Sequence, residues 1–391
     1  MTKIFRTELG ENVFRFKYAN DKNWTWWDNC VAVVDDVCRG ILSNDECHEM
    51  IQAIYSFQFM PGGRYLYYAG RKANFYNNCY LFKSEEDSRE DWADLVYKAT
   101  SALMTGGGIG NDYSVYRPNG SYLNRTGGSA SGPIPLMKIV NEIGRNVMQG
   151  GSRRSAIYAS LNWQHGDVEQ FLRCKNWDEV KIDGSDLTVA KAKEYNFDYN
   201  APLDMTNISV NYDNAFLDSL TYERVPKVFV DNVEQAMRTA EPGFSFNFGD
   251  KENETARNAC CEVTSSDDSD VCNLGSINMA NIETFEEFCS IVSLGIKFLV
   301  CGTLKADLPF DKVYKTREKN RRLGLGLMGM HEWLLKRGYK YEVVPELHKW
   351  LEAYEWNSKA RADILCDELG ISRPVAYRAI APTGTIGILA G

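Results

Sequence analysis

Short apolar runs that read as buried strands recur at 156–161, 206–211 and 243–247, with helical stretches such as 223–239 between them. Strands alternating with helices in this way bury both faces of a sheet, which points to a layered α/β architecture. The chain has 391 residues, too many for one simple module of ~100–200 residues. That leaves two or three domains or a single large α/β barrel. Aromatic-rich helical segments such as 44–59 suggest a leading helical subdomain over 1–70, with the α/β part running over 71–391. Within that part, 75–82 reads as a strand and the acidic stretch 84–94 leads into a helix ending near Met104. TGGGIG at 105–110 reads as a turn, and the Gly/Ser-rich segments 120–132 and 149–155 as mobile loops. Helices are expected at 318–336 and 347–369, and a strand at 375–380. No repeat and no linker divides the chain.

Composition narrows the function classes. Hydrophobic residues at 44% and charged residues at 25% exclude disordered, collagenous and coiled-coil chains. The longest apolar run, 291–304, is interrupted by Lys297 and falls short of the ~20 residues of a membrane span. No apolar signal core opens the chain, so a cytoplasmic setting and no membrane partner are expected. Eleven cysteines in that reducing setting suggest thiol chemistry rather than structural disulfides. A net charge of -9 gives no general attraction for nucleic acid, so an anionic ligand needs local sites.

Several motifs lead nowhere in particular. Gly324-Leu-Gly-Leu-Met-Gly329 matches the dinucleotide-binding turn, but the preceding TREKNRR reads as a helix rather than the required strand. Glycines permitting close packing are the better reading. No P-loop occurs, and four histidines without a C-x-x-C pair give no zinc spacing, so no metal is expected. Asn258-Ala-Cys-Cys-Glu262 differs. If extended, it sets Asn258, Cys260 and Glu262 on one side, although a half-buried strand with incidental polar residues explains it as well. Cys79 lies in a strand-like NNCYLF, and Cys272 opens VCNLGSINMA twelve residues beyond Cys260.

Taken in order, N-C-Y, G-G-G-I-G, N-x-C-x-E, C-N-L-G-S-I-N and P-T-G-T-I, spread from Cys79 to the end of the chain, resemble the large catalytic subunit of ribonucleotide reductases. LMTGGGIG, TGGSASGPIPLM and QGGSRRSAIYASLNW look most like the adenosylcobalamin-dependent class II branch. The resemblance implies a ten-stranded α/β barrel of two five-stranded halves, with Cys260 on a loop inserted through its centre. It implies that Cys260 carries a thiyl radical, that Glu262 is the general base, and that Asn258 holds the sugar hydroxyls. Cys79 and Cys272 become the reducing dithiol. Asn78, Gly108, Ala259, Cys261 and the phosphate loop Pro382, Thr383, Gly384, Thr385 and Ile386 are the substrate-binding positions, with Cys261 expected to point away from the sugar.

The same resemblance implies a deoxynucleoside triphosphate or ATP effector at a dimer interface. Asp87, Arg117 in the 116–126 loop, and Arg153 and Arg154 in the 150–156 loop are the candidates to read it. The implied partners are the ribonucleotide substrate, a thioredoxin- or glutaredoxin-type reductant and a second copy of the chain. With so little chain before Cys79, an extra nucleotide-sensing domain is not expected. With Gly391 directly after the phosphate loop, the C-terminal barrel strands are expected from a second polypeptide. Three rivals stand beside this reading: a class I large subunit fed by a metal-containing radical subunit, an NAD-dependent dehydrogenase, and a catalytically dead nucleotide-binding partner.

Overall fold

The computed structural model describes residues 4–147, 155–221 and 224–391. The chain forms two compact units, residues 1–79 with 271–391, and residues 80–270. The strands among the described residues are β1 (Phe59–Pro61), β2 (Cys79–Lys83), β3 (Gly108–Asp112), β4 (Ile157–Asn162), β5 (Thr206–Tyr212), β6 (Gly243–Phe246), β7 (Ala256–Arg257), β8 (Thr264–Ser265), β9 (Asp270–Asn278) and β10 (Leu323–Met328).

In the first unit, helices Glu8–Lys17, Trp26–Val37 and Asn44–Tyr55 come first. Reciprocal capping boxes, Thr25 with Asp28 and Ser43 with Glu46, start the second and third. Each cap satisfies amide donors that have no partner inside the helix and stabilises it by ~1 kcal/mol. Their buried faces, including Trp26, Val34, Met50 and Ile54, share one core with Phe288, Phe298, Trp333 and Trp350 from the later helices. The indole rings of Trp333 and Trp350 meet edge-on at 4.8 Å. Helix Phe285–Lys305 is long and apolar enough to cross a membrane, but two-thirds of its apolar window is buried in this core. It is a core helix, and it packs closely because Gly302 makes room: a Cβ there would lie 2.0 Å from the Tyr65 hydroxyl.

All nine residues of β9 are buried. It pairs antiparallel with β1 (Phe59 opposite Ile277) and parallel with β10 (Leu323 opposite Asn273). The expected single helix over 318–336 is replaced by helix Asp311–Asn320, β10 and helix Met330–Lys336. Arg321, at φ 40°, closes the first helix. The alternating Leu-Gly of β10 then packs closely on its neighbours: a Cβ at Gly324 would sit 2.4 Å from Leu274 Cδ2, and one at Gly326 would sit 2.7 Å from the Ala379 carbonyl. These glycines serve close packing, as expected, and the dinucleotide turn does not form around them. The expected 375–380 strand is a short ladder beside β10, with Leu325 N–H donating to the Tyr377 carbonyl and Ala379 N–H to Leu325.

The second unit places β2 beside β3, followed by β4, β5 and β6. From β3 to β6 all pairings are parallel, with Ile109 opposite Ile157, Ile157 opposite Thr206, and Ser209 opposite Gly243. Helices Ile134–Asn146, Val168–Arg173, Val189–Tyr195, Asn214–Ser219 and Lys227–Thr239 occupy the connections, the crossover a parallel pair requires. The α/β expectation therefore holds. TGGGIG is only half a turn: Gly106, at φ 89°, ends helix Arg89–Thr105, and Gly108 already begins β3. Segment 120–132 closes on itself, Gly120 N–H donating to Ala130 and Ala130 N–H to Ser121.

Candidate active site

In the second unit, β7 and β8 pair antiparallel, Ala256 opposite Ser265, and residues 258–263 form the tip of this hairpin. The expected extended Asn258–Glu262 is therefore a turn. Asn258 is fully buried and closes it: its N–H donates to the Val263 carbonyl at 3.3 Å, and its Oδ1 accepts from Val263 N–H at 3.0 Å. Its own carbonyl accepts from Cys261 N–H at 3.0 Å. Cys261 takes φ 67°, the left-handed region, which costs an L-residue ~1–2 kcal/mol. With no strand there is no alternation to send Cys261 to the opposite face, and both Cys260 and Cys261 are exposed.

The hairpin is wedged onto the parallel strands. A Cβ at Gly110 would lie 1.9 Å from the Arg257 carbonyl, and one at Gly108 would lie 3.0 Å from Ala259 Cβ. Gly108 thus makes room for Ala259, which is itself buried. Asn207 Nδ2 donates to the Ala259 carbonyl at 3.3 Å, and Arg257 Nε donates to Ser245 Oγ at 2.6 Å. Sequence reasoning missed Gly110, Asn207 and Arg257 as the seat of the loop; the last glycine of GGGIG was the available signal.

Both carboxylate oxygens of Glu262 are shut off from solvent and meet no partner at hydrogen-bond geometry, the Asn258 side chain being the polar group that acts on the carboxyl. Burial raises its pKa above the usual carboxylate range, with Asn258 opposing the shift. A buried, unpaired carboxylate of this kind binds a proton readily. Protein packed around the Cys261 sulfur pushes that thiol up to about 11 even though the side chain keeps solvent access, and Arg257 opposes.

The first unit holds the other two thiols. Cys79 and Cys272 are buried, and neither is in a disulfide. Asn77, two residues before Cys79, donates from Nδ2 to Asn273 Oδ1 at 2.5 Å and to the Cys272 carbonyl at 3.5 Å, which holds the approach to Cys79 against β9. Asn78 lies alongside: a Cβ at Gly62 would meet its Nδ2 at 2.4 Å and the Leu274 carbonyl at 2.7 Å. The Cys272 thiol donates to the Asn273 carbonyl at 3.5 Å.

Thr383, at φ 51°, is the N-cap of helix Gly384–Ala390, and it makes no side-chain cap bond. Pro382 and Gly384 are exposed, Thr383 and Thr385 half-buried and Ile386 buried. This helix is seated on helix Glu8–Lys17, where a Cβ at Gly10 would lie 2.9 Å from the Ile388 carbonyl. Among the effector candidates, Arg117 Nε pairs with Asp87 Oδ2 at 2.6 Å, while Arg153 and Arg154 lie outside the described residues. A cavity of about 570 Å³ opens where β3, β4 and β5 end, lined by Asp112, Asn162, Asn211 and Asp213 among others. No motif marked it. Among the described residues no cluster of three or more His, Cys, Asp or Glu could hold a metal ion.

Over residues 77–220 and 227–348 the chain matches the ribonucleotide reductase barrel domain. The chain belongs to that family. Among its relatives, the vitamin B12-dependent ribonucleoside-diphosphate reductase of Thermoplasma acidophilum is 26% identical over 90% of this chain and 49% of its own length. The putative adenosylcobalamin-dependent ribonucleoside-triphosphate reductase of Mycobacterium phage D29 is 29% identical over 78% of this chain and 49% of its own. The ribonucleoside-diphosphate reductase subunit alpha of Chlamydia muridarum is 25% identical over 73% and 31%. The chain spans about half the length of the first two relatives. The family resemblance read from the motifs, and the fold class it implied, both hold.

Proposed function

We propose that this ribonucleotide reductase family chain takes part in the cytoplasmic reduction of ribonucleoside di- or triphosphates to 2′-deoxyribonucleotides for DNA synthesis, with adenosylcobalamin as radical source. The observation that carries the reading is the hairpin tip: an exposed Cys260 two residues from a buried carboxylate, on a turn pinned to parallel strands. A rigidly seated turn fixes both groups relative to one another, which is what positioned radical and acid–base chemistry requires. Relatives named as cobalamin-dependent align over 78–90% of the chain, which favours this reading over a class I subunit, a dehydrogenase or a dead partner.

In this proposal Cys260, as a thiyl radical, takes the hydrogen from C3′ of the ribose. Glu262, its pKa already raised by burial, accepts the 3′-hydroxyl proton as the 2′-hydroxyl leaves as water. Cys79 and Cys272 give one proton to the leaving hydroxide and one hydrogen to C2′, supply the two electrons and close to a disulfide; Glu262 returns its proton to the 3′ oxygen and Cys260 its hydrogen to C3′. Asn258, its amide oxygen engaged with Val263, holds the turn and orients the sugar hydroxyls. Asn78, Gly108, Ala259 and Cys261 bound the substrate, and 382–386 receive its phosphates. The exposure of Cys260 suits the cofactor, because the initiating group must reach this residue. When bound, adenosylcobalamin supplies the one-electron oxidation that removes hydrogen from that sulfur.

The proposal extends to a thioredoxin- or glutaredoxin-type reductant, a homodimer, and a nucleotide effector read by Asp87, Arg117, Arg153 and Arg154. It keeps 1–70 as a supporting helical part and 71–391 as the catalytic part. The experiment is deoxynucleotide formation by the protein as its cell makes it, with dithiol reductant, ribonucleotides and an adenosylcobalamin titration. Product that rises with cobalamin supports the proposal. Product that ignores cobalamin and requires a metal-containing subunit would replace it with the class I reading.

A further inference from the structure

The proposed function gives Cys260 its chemistry but leaves the neighbouring sulfur without a redox role. Of the eleven cysteines, Cys260 and Cys261 are the two that are exposed; the other nine are buried or half-buried. They are adjacent in sequence, on a turn whose conformation is enforced by the bonds of Asn258 to Val263 and Cys261. The left-handed backbone of Cys261 is uncommon for a residue with a side chain, and such strain gathers where function needs it. The two sulfurs also sense each other, since Cys260 adds to the rise in the Cys261 pKa.

We infer that Cys260 and Cys261 are a redox modification site, closing to a reversible vicinal disulfide that stores the Cys260 thiol in an unreactive state. The inference rests on the reading of Cys260 as the reactive thiol. The oxidant is a peroxide. The thiolate of Cys260 attacks it, the O–O bond breaks, Cys260 becomes a sulfenic acid and the other oxygen leaves as water. The Cys261 sulfur then attacks the Cys260 sulfur, the S–O bond breaks, the S–S bond forms and a second water leaves. Two thiols are oxidised by two electrons and one peroxide is reduced to two waters. Sulfenic acid that meets a second thiol at once is spared irreversible over-oxidation.

Reversibility follows from geometry. Neighbouring Cα atoms are ~3.8 Å apart across a trans peptide, short of the ~4.4–6.8 Å usual for a disulfide. The ring is therefore strained, and strained, exposed disulfides are the easily reduced ones. A dithiol of the kind proposed as reductant would reopen it.

The test is peptide mapping of the intact protein after one equivalent of hydrogen peroxide, followed by alkylation. The expected result is a peptide carrying both cysteines unalkylated and lighter by two hydrogens, restored by mild dithiol. In Cys261→Ser the expected product is a sulfenic acid on Cys260, trapped by a 1,3-dicarbonyl reagent that wild type does not trap. Any other fate overturns the inference: both thiols still alkylated, Cys260 bridged to a different cysteine, or sulfinic acid in wild type. None of these readouts needs turnover. A vicinal disulfide without deoxynucleotide formation would sink the proposed function alone, and the reverse outcome would sink this inference alone.

Discussion

Cys272 and Cys260 sit in opposite settings. The first lies on a nine-residue strand buried along its whole length, where a neighbouring glycine leaves so little space that a Cβ would come 2.9 Å from the sulfur. The second is an exposed residue on a six-residue turn held by a few hydrogen bonds. The difference teaches that packing sets one thiol and hydrogen bonding sets the other. Substitutions should therefore act by different currencies in the two units: apolar volume in the first, polar pairing and backbone clearance in the second.

The largest effect is expected from Trp333→Ala, which opens a void against Trp350 and Arg337. A loss of ~3–5 kcal/mol should appear in chemical denaturation of the protein, with the alkylation rate of Cys260 under native conditions unchanged. Gly110→Ala should cost ~1–3 kcal/mol by overpacking, because its methyl would overlap the Arg257 carbonyl. Unlike the tryptophan change, it should alter the alkylation rate of Cys260. A normal rate in Gly110→Ala would break the contrast. Asn258→Ala removes the acceptor for Val263 N–H and should cost ~1–3 kcal/mol for the unpaired buried donor.

These expectations also mark what was readable beforehand. The runs at 157–162 and 206–212 were legible because apolar residues are bounded by helical stretches, and the family followed from ordered short motifs. β10 was not, because a helix runs directly into it and glycine, a poor strand former, fills alternate positions of its Leu-Gly run. The turn at 258–263 was not legible either. Asn258 closes it by bonds to a residue five positions on, and Cys261 adopts a conformation that nothing in its side chain favours. The lining of the cavity comes from separate strand ends and carries no local pattern.

Two smaller effects sharpen the comparison through pH. In the first unit, Lys297 pairs with Glu46 at 2.6 Å and holds its carboxyl at about 2, from an ordinary 4.5. Its stabilisation is present above the ordinary value and is lost as pH falls through about 2. Lys297→Met should cost ~1 kcal/mol or less at neutral pH, since the pair is partly exposed, and the difference should vanish in acid. Glu262 runs the other way. With its folded pKa raised, it favours folding below the ordinary carboxylate value and weakens it as pH rises through the raised one. Glu262→Gln should be the more stable protein at neutral pH in thermal melts and gain nothing in acid; a gain of the same size at both pH values would contradict the buried, unpaired carboxylate.

The most direct measurement compares deoxynucleotide formation by the wild-type protein and Cys260→Ser, as the cell makes them, with adenosylcobalamin, dithiol and ribonucleotide all present. The account expects product from wild type and none above background from the serine variant, whose fold and nucleotide binding remain. Equal product from both would contradict it, because the hydrogen at C3′ would then have been taken by some other group.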